Sequence, residues 1–166
     1  MKKIILLVSI SFTLLNCKSY RNEFKDYEND LFPHVKEKFL KHHNAEDAQF
    51  SVVAFEFGFS GEKHTVKNNN KIIYDDVLTT NPNLGHAKYI TIDNRYDTKI
   101  IDNSTGKNIT IDRDLAAKHK FITVTRKRKY LMSSGLVHDS IVNGQKVKTK
   151  DKLYKITYSN TIRGLM

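Results

Sequence analysis

The feature that most constrains this chain is a change of rhythm near residue 49. From there to residue 158, apolar residues recur in short runs with period two, separated by clusters of Asn, Asp, Ser and Gly. Side chains of an extended strand alternate between two faces, whereas a helix repeats every 3.6 residues, so such runs predict half-buried strands. Val53, Phe55, Phe57 and Phe59 alternate with Val52, Ala54, Glu56 and Gly58, which reads as one long strand with an aromatic face. Residues 60–63 read as a turn, and Asn68-Asn69-Asn70 as another. Further strands are expected at 71–74, 77–80, 87–93, 99–102, 108–112, 120–126, 136–142 and 153–158. A helical turn is expected at 114–118, and Asn143-Gly144 suits a tight hairpin. Many short strands with little helix between them predict a mainly β fold, an antiparallel sandwich or barrel-like domain over residues 49–166.

Upstream, the pattern differs. Tyr20, Phe24, Tyr27 and Leu31 follow at spacings of four, three and four, the signature of one helix face. Asp30 suits the cap of a second helical segment, with Pro33 in its first turn and Val35 and Phe39 continuing the stripe. Residues 17–48 are therefore expected to form an amino-terminal helical segment that packs on the β-rich domain.

The chain opens with Lys2 and Lys3 and an apolar run from Ile4 to Leu15, interrupted by Ser9, Ser11 and Thr13. A helix needs about 20 apolar residues to cross a bilayer, so this run is too short to span. A charged start followed by a short apolar stretch predicts a secretory signal peptide over residues 1–16. It closes on Leu14-Leu15-Asn16-Cys17, and Cys17 is the only cysteine in the chain. This resembles the lipobox of bacterial lipoproteins, with Asn16 standing where that family carries glycine, alanine or serine. The resemblance implies cleavage before Cys17, acylation of its thiol, and a lipid-anchored domain in the cell envelope. Lys18 is not the aspartate that retains many such proteins in the inner membrane, so the resemblance implies the outer membrane.

Charge and motifs narrow the function. Twenty-eight Lys and Arg against eighteen Asp and Glu leave a formal charge of +10, which points to anionic partners: lipid headgroups, an anionic glycan or an acidic protein. Export argues against nucleic acid. The run Arg126-Lys127-Arg128-Lys129 ahead of Tyr130 is the candidate anionic-surface site, although on a strand alternate members face opposite sides. Tyr89 and Tyr96 suit glycan or protein contacts. The densest metal-type cluster is His42, His43 and Glu46, but zinc wants three or four converging ligands and no H-E-x-x-H run exists. No metal or other cofactor is expected.

Catalytic signatures are missing from the sequence. Seven singly placed glycines build no phosphate loop, and there is no G-x-S-x-G elbow. Asp75-Asp76 and the Asp112–Asp114 pair do not suggest carboxyls facing across a cleft. Asp93, Asn94, Asp97, Asp102 and Asn103 read as turn formers. Ser133-Ser134-Gly135 and His138-Asp139-Ser140 hold triad residue types without any indication of geometry. The expectation is a non-enzymatic binding domain. Its rivals are a small periplasmic inhibitor or immunity-type protein, and a hydrolase with a dispersed site.

Overall fold

The computed structural model describes residues 20–27, 32–127, 141–142, 145–146 and 153–161. Along the chain these form β1 (Tyr20–Phe24), α1 (Pro33–His42), β2 (Phe50–Phe55), β3 (Ser60–Asn68), β4 (Lys71–Thr79), β5 (Lys88–Asp93) and β6 (Thr98–Asp102). There follow β7 (Lys107–Ile111), α2 (Arg113–Ala116), β8 (Phe121–Arg126), β9 (Ile141–Val142), β10 (Gln145–Lys146) and β11 (Tyr154–Ser159).

The strands assemble into a five-stranded sheet of order β1-β11-β8-β2-β5 and a four-stranded sheet of order β4-β3-β6-β7, with β9 and β10 paired separately. Neighbours are antiparallel except β1 with β11 and β2 with β8. Alternation decides which residues face inward. Val53, Phe55, Ile90, Ile92, Ile122, Val124, Tyr154, Ile156 and Tyr158 from the first sheet meet Val66, Leu78, Ile100, Ile109 and Ile111 from the second in one buried cluster. The mainly β sandwich is thus held by residues whose burial contributes about 1.5–3 kcal/mol each.

The other face of the five-stranded sheet is partly covered. Val52 and Phe121 there join Ala45 in a second cluster, against which Phe39 and Leu40 of α1, Phe50 and Tyr89 pack. Pro33 opens α1, where the missing amide proton has no intrahelical acceptor to lose. Lys36 Nζ ties the helix to the end of β11 by donating to Asn160 O at 2.7 Å.

Several expectations are corrected. Residues 20–24 are a strand, not the first part of a helix, and belong to the five-stranded sheet. A spacing of four, from Tyr20 to Phe24, satisfies both periodicities, and the parallel ladder with β11 settles which one is used. The long strand through Phe59 is broken: β2 ends at Phe55, and Gly58 turns the chain with φ of +95°. Residues 60–63, read as a turn, open β3 instead. The two short strands at 71–74 and 77–80 are joined in β4, with register shifts against β3 between Ser60 and Glu62 and between Val66 and Lys67. Asn69 and Asn70, with φ of 51° and 58°, make the two-residue turn joining β3 to β4. Asp30, Leu31, residues 1–19, 128–140 and 143–144 lie outside the described residues, and with them the signal peptide, Cys17, Arg128, Lys129, Tyr130, the Ser133 and His138 clusters and the Asn143-Gly144 turn.

Candidate functional site

The end of the sandwich where β8 stops and β11 begins gathers a cluster of charged and polar residues. Register places Arg21 beside Lys155, and Lys155 beside Thr125, in a row across β1, β11 and β8. Glu56 N donates to Val124 O at 3.0 Å and Arg126 N to Phe57 O at 2.9 Å, so the chain leaving β2 continues along β8. Lys127 N donates to Leu153 O at 2.9 Å, extending the β8–β11 ladder by one residue. Together Arg21, Phe57, Thr125, Arg126, Lys127, Tyr154 and Lys155 line a groove of about 320 Å³.

Behind the groove lies a buried polar cluster. Tyr154 Oη donates to Asp102 Oδ2 at 2.6 Å and lies 3.0 Å from His64 Nε2. His64 Nδ1 is 2.9 Å from Glu62 O. A carbonyl only accepts, so His64 Nδ1 donates to Glu62 O, while the one phenolic proton goes to Asp102. Arg126 bonds Glu62 Oε1 and stands 3.6 Å from Asp102 Oδ2. The Arg126 side chain is only 13% exposed, Glu62 18% and Asp102 0%. Arg126 Nε is buried without a hydrogen-bond partner.

Environment tunes these groups. Burial opposes ionisation of Asp102, yet hydrogen bonds from Ser104, Tyr154 and Thr105 and the adjacent His64 hold its carboxyl well below the usual aspartate range. Burial first, then its bond to Asp102, pushes the Tyr154 hydroxyl far up, so it keeps its proton. Burial also works against Arg126, but Tyr154, Glu62 and Asp102 leave the guanidinium more firmly protonated than in water. Glu62 is likewise held low: burial raises it, and bonds from Ser60 together with Arg126 more than offset that.

The four cations do not all face solvent alone. Glu62 and Asp102 compensate Arg126 from the core side, and Lys155 Nζ pairs with Glu23 Oε2 at 3.0 Å. Arg126 therefore forms the rigid back of the groove, while Arg21, Lys127 and Lys155 supply its outer charge. Of the predicted basic run, Arg126 turns inward at the end of β8, and Lys127, just past the strand, is exposed. Arg21, Phe57, Tyr154 and Lys155 carried no local signal, because only sheet register brings them to Arg126.

The other predicted residues are dispersed. His43 packs on Phe39 and Tyr89, with ring centroids 4.5 and 5.3 Å away. Burial, then nearby His42 and Lys88, lowers its pKa. His42 and Glu46 are exposed, and among the described residues no three His, Cys, Asp or Glu side chains come together to hold a metal. Tyr89 is half-buried and packs against Phe39 and His86, with ring centroids 5.1 and 4.5 Å away. Tyr96 lines a second groove of about 210 Å³ with Asn69, Asn70, Arg95, Asp97 and Arg113, at the opposite end of the sandwich. Arg95 is held there by Asp93, and Asp97 accepts Arg113 N at 2.9 Å. Asp75 binds Thr65 and Lys63, and Asp112 caps α2. Asn94 is buried at the β5–β6 turn, and Asn103 donates to Thr65 Oγ1. No family model and no curated protein sequence matches this chain.

Proposed function

We propose that this chain is an envelope lipoprotein, held by lipid on Cys17 in the outer membrane, whose β-rich domain binds an anionic ligand without transforming it. The observation that carries the reading is the convergence of Arg21, Arg126, Lys127 and Lys155 on one groove, from strands that lie far apart in sequence. Arg126, already paired with Glu62 and Asp102, fixes the back of the groove, while Arg21, Lys127 and Lys155 supply the charge that a phosphate or carboxylate would meet. The groove is near the lower limit for a small-molecule pocket, which suits one charged group of a larger ligand.

The buried cluster supports this rather than a hydrolase. Tyr154, the hydroxyl at the groove, holds its proton and donates it to Asp102, the opposite of an activated nucleophile. His64 is fully buried behind it and out of reach of a substrate.

Two measurements test the reading. Metabolic labelling with a palmitate analogue should mark the native chain and not Cys17→Ser; an unlabelled native chain overturns the anchor. Titration with polyphosphate should shift the amide resonances of Thr125, Lys127 and Lys155 in the native protein and not in Arg21→Ala/Lys155→Ala. Shifts spread evenly over the surface overturn the groove as the ligand site.

A further inference from the structure

Resting on the anchored, anion-binding reading above, we infer that the groove end of the sandwich lies on the bilayer: the groove takes the phosphate of an anionic lipid headgroup while Phe57 and Leu84 reach the acyl boundary. Three observations meet at this end.

The first is the register. Tyr20 opens β1 and pairs with Tyr154, which pairs in turn with Arg126. Cys17 precedes Tyr20 by three residues, at most about 11 Å of extended chain. An anchor at Cys17 and the groove therefore share one end of the molecule. A phosphate closer to these cations than the Debye length, about 8 Å at physiological salt, keeps a substantial part of its attraction.

The second is apolar exposure. Phe57 is 49% exposed on the groove wall, and Leu84 is 52% exposed on the neighbouring loop. The two loops touch, since a Cβ placed on Gly85 would stand 3.2 Å from the tip of the Phe57 ring. Ala87 N donates to Phe55 O at 2.7 Å, which fixes the second loop at the same end as the first. A soluble anion has no use for such neighbours. Apolar side chains beside cations are what an anionic membrane surface requires, because the former enter the headgroup boundary while the latter meet phosphate.

The third is the placement of charge: Asp102 and Glu62 sit on the core side of Arg126, and the exposed Arg21 and Lys127 line the groove beside it.

The chain contains no tryptophan, so Phe57→Trp supplies a single reporter at an exposed position. The acylated full-length variant would be reconstituted into vesicles of phosphatidylcholine alone, of phosphatidylcholine with phosphatidylglycerol, and of phosphatidylcholine with inorganic phosphate in the bulk. Lipids brominated near the upper acyl carbons serve as quenchers. The expected result is quenching and a blue shift with phosphatidylglycerol only, reproduced by Leu84→Trp. Arg21→Ala and Lys155→Ala should each weaken the effect about fivefold, and added salt should weaken it further.

Equal, unquenched emission in all three preparations overturns the bilayer contact, and equal quenching in all three overturns the anionic headgroup as its cause. A shift that appears with free phosphate in zwitterionic vesicles, without quenching, overturns the headgroup as ligand and assigns the groove to a soluble anion. A chain without acyl label on Cys17 instead overturns the anchoring reading, so the two failures are distinguishable.

Discussion

Gly58 holds the groove together, and its replacement by alanine is the most informative perturbation of the fold. Two effects act on Gly58→Ala. Its φ of +95° belongs to the region that L side chains avoid, a strain of about 1–2 kcal/mol. The added methyl would also stand 1.7 Å from Arg126 O and 2.7 Å from Arg126 C. Carbon–oxygen contacts settle near about 3.3 Å, so backbone must move by about 1.5 Å. That movement pulls Arg126 N from Phe57 O, a bond contributing about 1 kcal/mol. It also shifts a guanidinium paired in a nearly buried site with Glu62 and Asp102.

Gly61 is the natural control, with φ of +102° and no neighbouring atom within 4 Å of the place an added methyl would take. Gly61→Ala should lose only the backbone strain. We expect Gly58→Ala to be less stable than Gly61→Ala by at least about 3 kcal/mol, or about 6–12 °C in Tm for a chain of this size. Urea and thermal denaturation followed by circular dichroism measure both. A difference under about 1 kcal/mol would refute the close contact between the 56–58 turn and β8, and with it the groove wall.

Tyr154→Phe should cost about 1–3 kcal/mol, since it strips a buried carboxylate and imidazole of a shared partner. Tyr158→Phe should be nearly neutral, because its buried hydroxyl approaches the Asp112 backbone without hydrogen-bond geometry; equal losses in a denaturant series would contradict this. Arg126→Met should destabilise by about 3 kcal/mol by leaving Glu62 and Asp102 uncompensated. Lys155→Ala, whose pair with Glu23 is well exposed, should change stability by under about 1 kcal/mol, and calorimetry of the two variants checks the contrast. The carboxyls of Asp102 and Glu62 are both depressed in the folded state, so the unfolded chain binds more protons as acid is added. Their contribution is complete above the ordinary carboxylate values near about 4 and is lost as pH falls below them. Urea midpoints measured down the acid limb should therefore decline, and Asp102→Asn should flatten the slope; an unchanged slope argues against an ionised Asp102.

Strand periodicity was legible because alternation is a local property. The runs in β5, β6, β7, β8 and β11 show it within five or six residues, and Asn69-Asn70 advertises a turn through its own φ preference. Where two periods coincide, the sequence misleads: Tyr20 and Phe24 share a face in helix and strand alike, and pairing with β11 decides. Phe57 misleads for another reason. It continues an aromatic alternation, but Gly58 lies against Arg126 of β8, and the resulting turn carries the ring out to the surface.

By itself, then, the sequence determined that the chain is built from short strands and that it is strongly basic. Only the tertiary structure decided that Arg126 is tied to Glu62 and Asp102, that Tyr154 and His64 complete a buried cluster behind it, and that Arg21, Lys155 and Phe57 share its groove. The physical reason is range. Periodicity and turn chemistry are set by neighbours along the chain, whereas the groove exists through ladders joining its first described strand to its last, and no local pattern encodes which strands will lie side by side.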